Sequence, residues 1–118
     1  MTFPDRINSI IGKPFNPETF HCWTLVEFLL PKAPRLDVTA STITKAIRHF
    51  REEMPSIGLK EVDDLQNEDI VVFGRNGEFL HVGVYFEGGI VHVDHSGTRY
   101  QRLSEMDNLY SMRQGLRS

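Results

Sequence analysis

The sequence holds one cysteine, Cys22, among 118 residues. An intrachain disulfide is therefore impossible, and a zinc site built from several cysteines is excluded. No apolar run approaches the roughly 18 residues a membrane span requires. No excess of positive charge is present either: 13 Lys and Arg stand against 16 Asp and Glu, a formal net charge of −3. The basic residues are scattered, without a run interleaved with aromatics, which argues against a nucleic-acid binder. The first 15 residues place acid before base and lack an apolar h-region, so they do not read as a secretory signal. The chain is expected to be made in the cytoplasm and to reach any other site, a virion or the cell wall, only if another machine carries it. Internal repeats and low-complexity segments are absent as well.

What remains is a chain of one-domain length, 1–118, with 40% hydrophobic residues, enough for a modest single core. Its first half has helical spacing. Thr2 and Asp5 form a capping-box pattern around Pro4, and Phe3, Ile7, Ile10 and Ile11 share one face up to Gly12. A turn-rich loop follows over 13–19. A second helix is expected over 20–30, with Trp23, Val26, Leu29 and Leu30 as its buried stripe and Pro31 as its stop. A third is expected over 41–53, capped by Thr39 or Ser41, with Ile43, Ile47 and Phe50 inward. The second half reads as strands: 59–62 at an edge, 70–73, 79–86, 90–95 and 98–102, with turns at 75–77 and at Gly88-Gly89. Helices first and an antiparallel meander second give an α+β domain.

Cys22 lies near the start of the second helix. Unpaired N–H groups and partial positive charge there favour thiolate over thiol and can hold an oxyanion. A cysteine nucleophile needs a base. His81 is the candidate, on a strand whose Leu80, Val82 and Val84 point the other way, so that it looks across at a packed helix. Gly83 leaves room beside it. A third polar group would orient the imidazole, and His92, Asp94 and His95 lie together on the next strand. A two-residue Gly88-Gly89 turn pairs Tyr85 with His92, Gly83 with Asp94 and His81 with Ser96. It puts His81, His92 and Asp94 on one face and His95 on the other. In that register Asp94 is the nearer to His81. Because the three histidines are split across faces, no metal site is expected, and no cofactor is implied.

Several of these segments match one family. Cys22-Trp23-Thr24-Leu25-Val26 resembles the nucleophile segment of NlpC-type cysteine peptidases. Glu68 to Phe73 is similar to that family's Gly-Asp-Leu-Val-Phe strand. His81-Val82-Gly83-Val84-Tyr85 is close to its His-Val-Gly-Ile-Tyr strand, and Ile90-Val91-His92 resembles the returning strand with the third catalytic residue. Ile11 to Phe15 is similar to the segment that leads into the nucleophile in phage-tail members. The resemblance spans residues 10–103. It implies a papain-like fold, amide hydrolysis in peptidoglycan stem peptides, and a Cys22–His81–His92 triad, with Asp94 second to His92. His21 stands where the family has Asp or Asn, Thr24 where it has Gly, Glu68 where it has a turn Gly, and Phe15 near where wall-cleaving members have a Tyr. Phe15, His21 and Trp23 are the candidate substrate contacts. Partners implied are a peptidoglycan peptide or another amide, and phage tail proteins. The alternatives are a non-catalytic assembly module that keeps the fold, and a same-fold amidase or acyltransferase with another substrate.

Overall fold

The computed structural model describes residues 1–118, apart from the side chains of residues 53 and 54. The described residues form an α+β fold: α1 (Phe3–Ile10), α2 (Cys22–Leu29), α3 (Ala40–Arg48), α4 (Phe50–Glu53), α5 (Leu103–Leu109) and six strands. The strands are β1 (Lys60–Val62), β2 (Ile70–Arg75), β3 (Glu78–Phe86), β4 (Gly89–Asp94), β5 (Gly97–Arg102) and β6 (Met112–Arg117). They make one antiparallel sheet in the order β1-β6-β2-β3-β4-β5. None of the helices is long and apolar enough to cross a membrane, among the described residues.

The helix starts follow the side chains that cap them. Thr2 Oγ1 accepts the Asp5 N–H, and the Asp5 carboxylate accepts the Thr2 N–H, both at 3.2 Å. Thr39 is the N-cap of α3 and makes the same exchange with Thr42. The third helix breaks earlier than its spacing predicts. His49 leaves helical geometry at φ −109°, ψ 31°, and the chain restarts as α4. Residues 54–57 then form a single 3₁₀ turn.

Helices α2 and α3 pack on one sheet face. Trp23, Leu25, Val26, Leu29, Ile43 and Ile47 are buried there against Val72, Val82, Val84, Val91 and Val93. Burying side chains of this size contributes about 1.5–3 kcal/mol each. The opposite face carries Val71, Phe73 and Ile90, covered by Met106 of α5. Helices therefore do not all precede the sheet. The sequence reading gave no structure to residues 103–118, and these supply both α5 and β6. β6 inserts between β1 and β2, so only β2 to β5 form the expected meander. Gly115 makes that insertion possible, since a Cβ there would stand 2.6 Å from Leu65 Cδ2 and 3.0 Å from Val62 Cγ2.

The β3–β4 turn is Glu87-Gly88 rather than Gly88-Gly89. Both residues have positive φ, 47° and 79°, as a tight two-residue hairpin turn requires. Asn67 holds Glu87 in this conformation, accepting its N–H and donating to its carboxylate, each at 2.8 Å. Gly89 opens β4 instead, and it is glycine for packing reasons: a Cβ would meet the Tyr100 ring at 2.4 Å. Tyr85 therefore pairs with Ile90 and Val84 with Val91. The pairs shift by two residues, so the assignment of side chains to faces survives.

Candidate active site

Cys22 is placed by a tight loop. Asn16 and Phe20 exchange backbone hydrogen bonds at 2.8 and 3.0 Å, and the Asn16 side chain accepts the N–H groups of Glu18 and Thr19. The loop is pinned to β5: Lys13 O accepts both the N–H and the hydroxyl of Thr98, and Gly12 N–H bonds Thr98 O. The chain then enters α2 through His21, the N-cap. His21 Nδ1 accepts the Trp23 N–H at 3.3 Å, and His21 Nε2 donates to Val38 O at 3.0 Å. Its own N–H bonds Thr24 Oγ1 at 2.8 Å, and the Thr24 hydroxyl donates back to His21 O. His21 and Thr24, two of the four positions that differ from the resembled motifs, thus complete one reciprocal cap.

This arrangement corrects two expected substrate contacts. His21 is fully buried with both ring nitrogens spent. Trp23 is also fully buried, with its indole N–H bonded to Pro34 O at 3.2 Å. Neither presents a surface to a ligand. Phe15 remains partly exposed, its ring edge-on to His95 at 4.8 Å. The two line a groove of about 580 Å³ with Glu18, Thr39 and Ser41. That groove lies beside the loop leading to Cys22, without Cys22 or His81 in its wall.

The histidines come together where the sheet opens. The β3–β4 ladder stops at Val84 and Val91, while β4 continues along β5 to Asp94. Beyond that point His81 Nε2 lies 2.9 Å from His92 Nδ1, the rings edge to face. His92 Nε2 lies 2.6 Å from Gln101 Oε1. Asp94, the second choice, turns away to an ion pair with Arg99 and accepts the Ser96 N–H. His95 sits exposed in the β4–β5 turn. Gly83 makes room for β4 and for the His92 side chain: a Cβ there would stand 2.5 Å from Ile90 Cγ2, 2.9 Å from Val91 O and 3.2 Å from His92 Cβ.

His81 does not look across at α2. It pairs with Phe73 on the face away from that helix, and its other side is covered by Tyr110, stacked at 5.7 Å with 13° between planes. The Arg75 guanidinium lies 4.6 Å over the same tyrosine ring and bonds Leu109 O. Cys22 approaches from the α2 side. The backbone N–H groups of Val82, Cys22 and Trp23 face its sulfur, so the thiol meets β3 one residue from His81. Among the described residues, no hydrogen bond joins Cys22 to His81.

The electrostatics correct a further expectation. Cys22 keeps part of its surface open to solvent, yet the protein packed round its sulfur pushes the thiol up to about 12. The three N–H groups oppose this and do not overcome it. Burial, and then His92, push the His81 imidazole down to about 3. Burial also lowers His92, against the hydrogen bond to Gln101. At rest Cys22 is thus a thiol and the His81 and His92 imidazoles are neutral, not a thiolate–imidazolium pair.

Gln101 and Tyr110 were absent from the sequence reading. Gln101 lies on β5 opposite Ile90, diagonal to His92 on the same face, a relation readable only once that register is known. Tyr110 lies in the part of the chain to which no structure was given. A comparison with known protein families finds no match for this chain, and neither does one with curated proteins.

Proposed function

We propose that this chain is a papain-like cysteine hydrolase of the NlpC type, cleaving an amide bond in peptidoglycan stem peptides through Cys22, His81 and His92. The observation that carries the reading is the hydrogen-bonded line His81–His92–Gln101, together with a Cys22 that begins α2 against Val82, the residue after His81 on β3. Because thiol and imidazole rest neutral, the proton moves as the bond forms. Cys22 Sγ attacks the carbonyl carbon, and His81 takes the thiol proton in the same step. N–H groups at the start of α2 receive the oxyanion. His81 then protonates the leaving amine, and water hydrolyses the thioester. The substrate class rests on the motif resemblance, as does the setting, a phage tail or its assembly.

The test is digestion of purified wall fragments, with products read by mass spectrometry. The reading expects new free amines with the wild type and none with Cys22→Ala. Cleavage of other amides alone would point to a same-fold amidase or acyltransferase. One observation favours a second reading, a non-catalytic assembly module: the thiol is raised and the imidazole lowered, the reverse of an activated pair. That reading expects an inert Cys22 and no product from any amide.

A further inference from the structure

We propose that Gln101 is a positioning residue that sets the direction of the His81–His92 pair, leaving His81 Nδ1 as the one nitrogen of the pair free to take a proton. The argument runs from the outer end inward. A carboxamide oxygen only accepts hydrogen bonds. With Gln101 Oε1 2.6 Å from His92 Nε2, that nitrogen carries the hydrogen. His92 rests neutral in its buried position, so its Nδ1 is bare. Nδ1 lies 2.9 Å from His81 Nε2, and two bare nitrogens do not bond each other, so His81 Nε2 carries the second hydrogen. His81 is neutral too, and its Nδ1 is left as the acceptor. A neutral imidazole has one donor and one acceptor nitrogen. One amide therefore fixes both rings.

The opposite orientation has the opposite consequence. An amide N–H aimed at His92 Nε2 would move the hydrogen to His92 Nδ1. His81 Nε2 would become the acceptor and its Nδ1 would hold the proton, leaving neither nitrogen of His81 free to take one. The surrounding charges supply no substitute for this control. Asp94 and Arg99 lie beside His92 but pair with each other. Arg75, which also reaches His81 electrostatically, is held over Tyr110. The Tyr110 ring stacks flat on the imidazole, a contact that holds the ring plane but does not select a tautomer.

The tautomers stand on the hydrogen-bond geometry and the neutrality of the two buried rings; their effect on rate rests on the hydrolase reading above. Long-range ¹H–¹⁵N correlation on histidine-labelled wild type at pH 7.5 reads them directly, without activity. The expected result is the Nε2–H form for both His81 and His92, with the His92 preference lost in Gln101→Leu. A His92 Nδ1–H form in the wild type, or an unchanged tautomer in Gln101→Leu, overturns the proposal. If wall fragments are cleaved, Gln101→Leu is expected to lower kcat by roughly 10-fold or more with KM little changed. Gln101→Glu, whose carboxylate favours the imidazolium, is expected to move the acid limb of the pH profile to higher pH. An unmoved limb counts against Gln101. Expected tautomers with no cleavage by the wild type would leave the positioning role standing and sink the hydrolase reading.

Discussion

His81 makes the fold sensitive to acid, and the size of the effect follows from its burial. In the unfolded chain an imidazole titrates near 6.5, whereas in the fold it is pushed down to about 3. As pH falls below 6.5 the unfolded state takes up a proton that the folded state refuses, so stability falls. The contribution is fully present above 6.5 and is lost progressively down to about 3. By linkage the loss reaches about 2 kcal/mol at pH 5 and about 4 kcal/mol at pH 3. Burial lowers His92 in the same direction and adds to the loss. The assay is urea unfolding at pH 7.5 and pH 5.0 for wild type and His81→Gln, whose side-chain N–H can still serve His92 Nδ1. Groups that titrate in both proteins cancel in the comparison. The wild type is expected to lose about 2 kcal/mol more than the variant between the two pH values, a midpoint difference of about 1 M urea. Equal losses would refute the claim that His81 is held neutral by burial.

Four further outcomes follow from the packing. Gly83→Ala drives a Cβ to 2.5 Å from Ile90 Cγ2 and 2.9 Å from Val91 O; a loss of about 1–3 kcal/mol in chemical denaturation is expected, and a neutral effect would contradict the close approach of β4. Arg117→Ala strips a bidentate partner, at 2.8 Å on each oxygen, from the buried Asp69 carboxylate; a lower urea midpoint is expected at pH 7, and an unchanged midpoint would show that the pair does not hold β6 in place. Tyr110→Ala uncovers one face of His81, so its imidazole should titrate at higher pH by NMR, and an unchanged titration would show that the tyrosine does not shield it. In His81→Gln, which removes the base, iodoacetamide should alkylate Cys22 more slowly at pH 7.5 than it does an unstructured cysteine peptide, because the thiol is raised to about 12; equal rates would mean that burial does not hold the proton.

The parts of this fold written in local chemistry could be read from the sequence. The Thr2–Asp5 and Thr39 caps, the alternation along β3 and β4, and the β2 to β5 meander each depend on neighbours a few residues apart. The face shared by His81 and His92 was also legible, because moving the turn from Gly88-Gly89 to Glu87-Gly88 leaves the parity unchanged. What failed depends on distant partners. Met112 to Arg117 has little apolar alternation and becomes a strand by inserting between β1 and β2, with Gln114 Nε2 bonded to Val62 O at 2.9 Å. Glu87 takes a left-handed turn position with Asn67 as its support. Gln101 and Tyr110 join the candidate site only through β5 register and through the α5–β6 connection. The helix-terminus argument for a thiolate counted N–H groups and omitted desolvation, which is the larger effect here.

The central claim is that Cys22 acts as a nucleophile with His81 as its base. Its most direct test is single-turnover acylation by an activated acetyl ester at pH 7.5, read by intact-protein mass spectrometry. The account predicts one acetyl group per chain on Cys22, formed faster than on a free cysteine peptide and slowed about 100-fold or more in His81→Gln. Acylation no faster than the peptide, or equally fast in the variant, would contradict it.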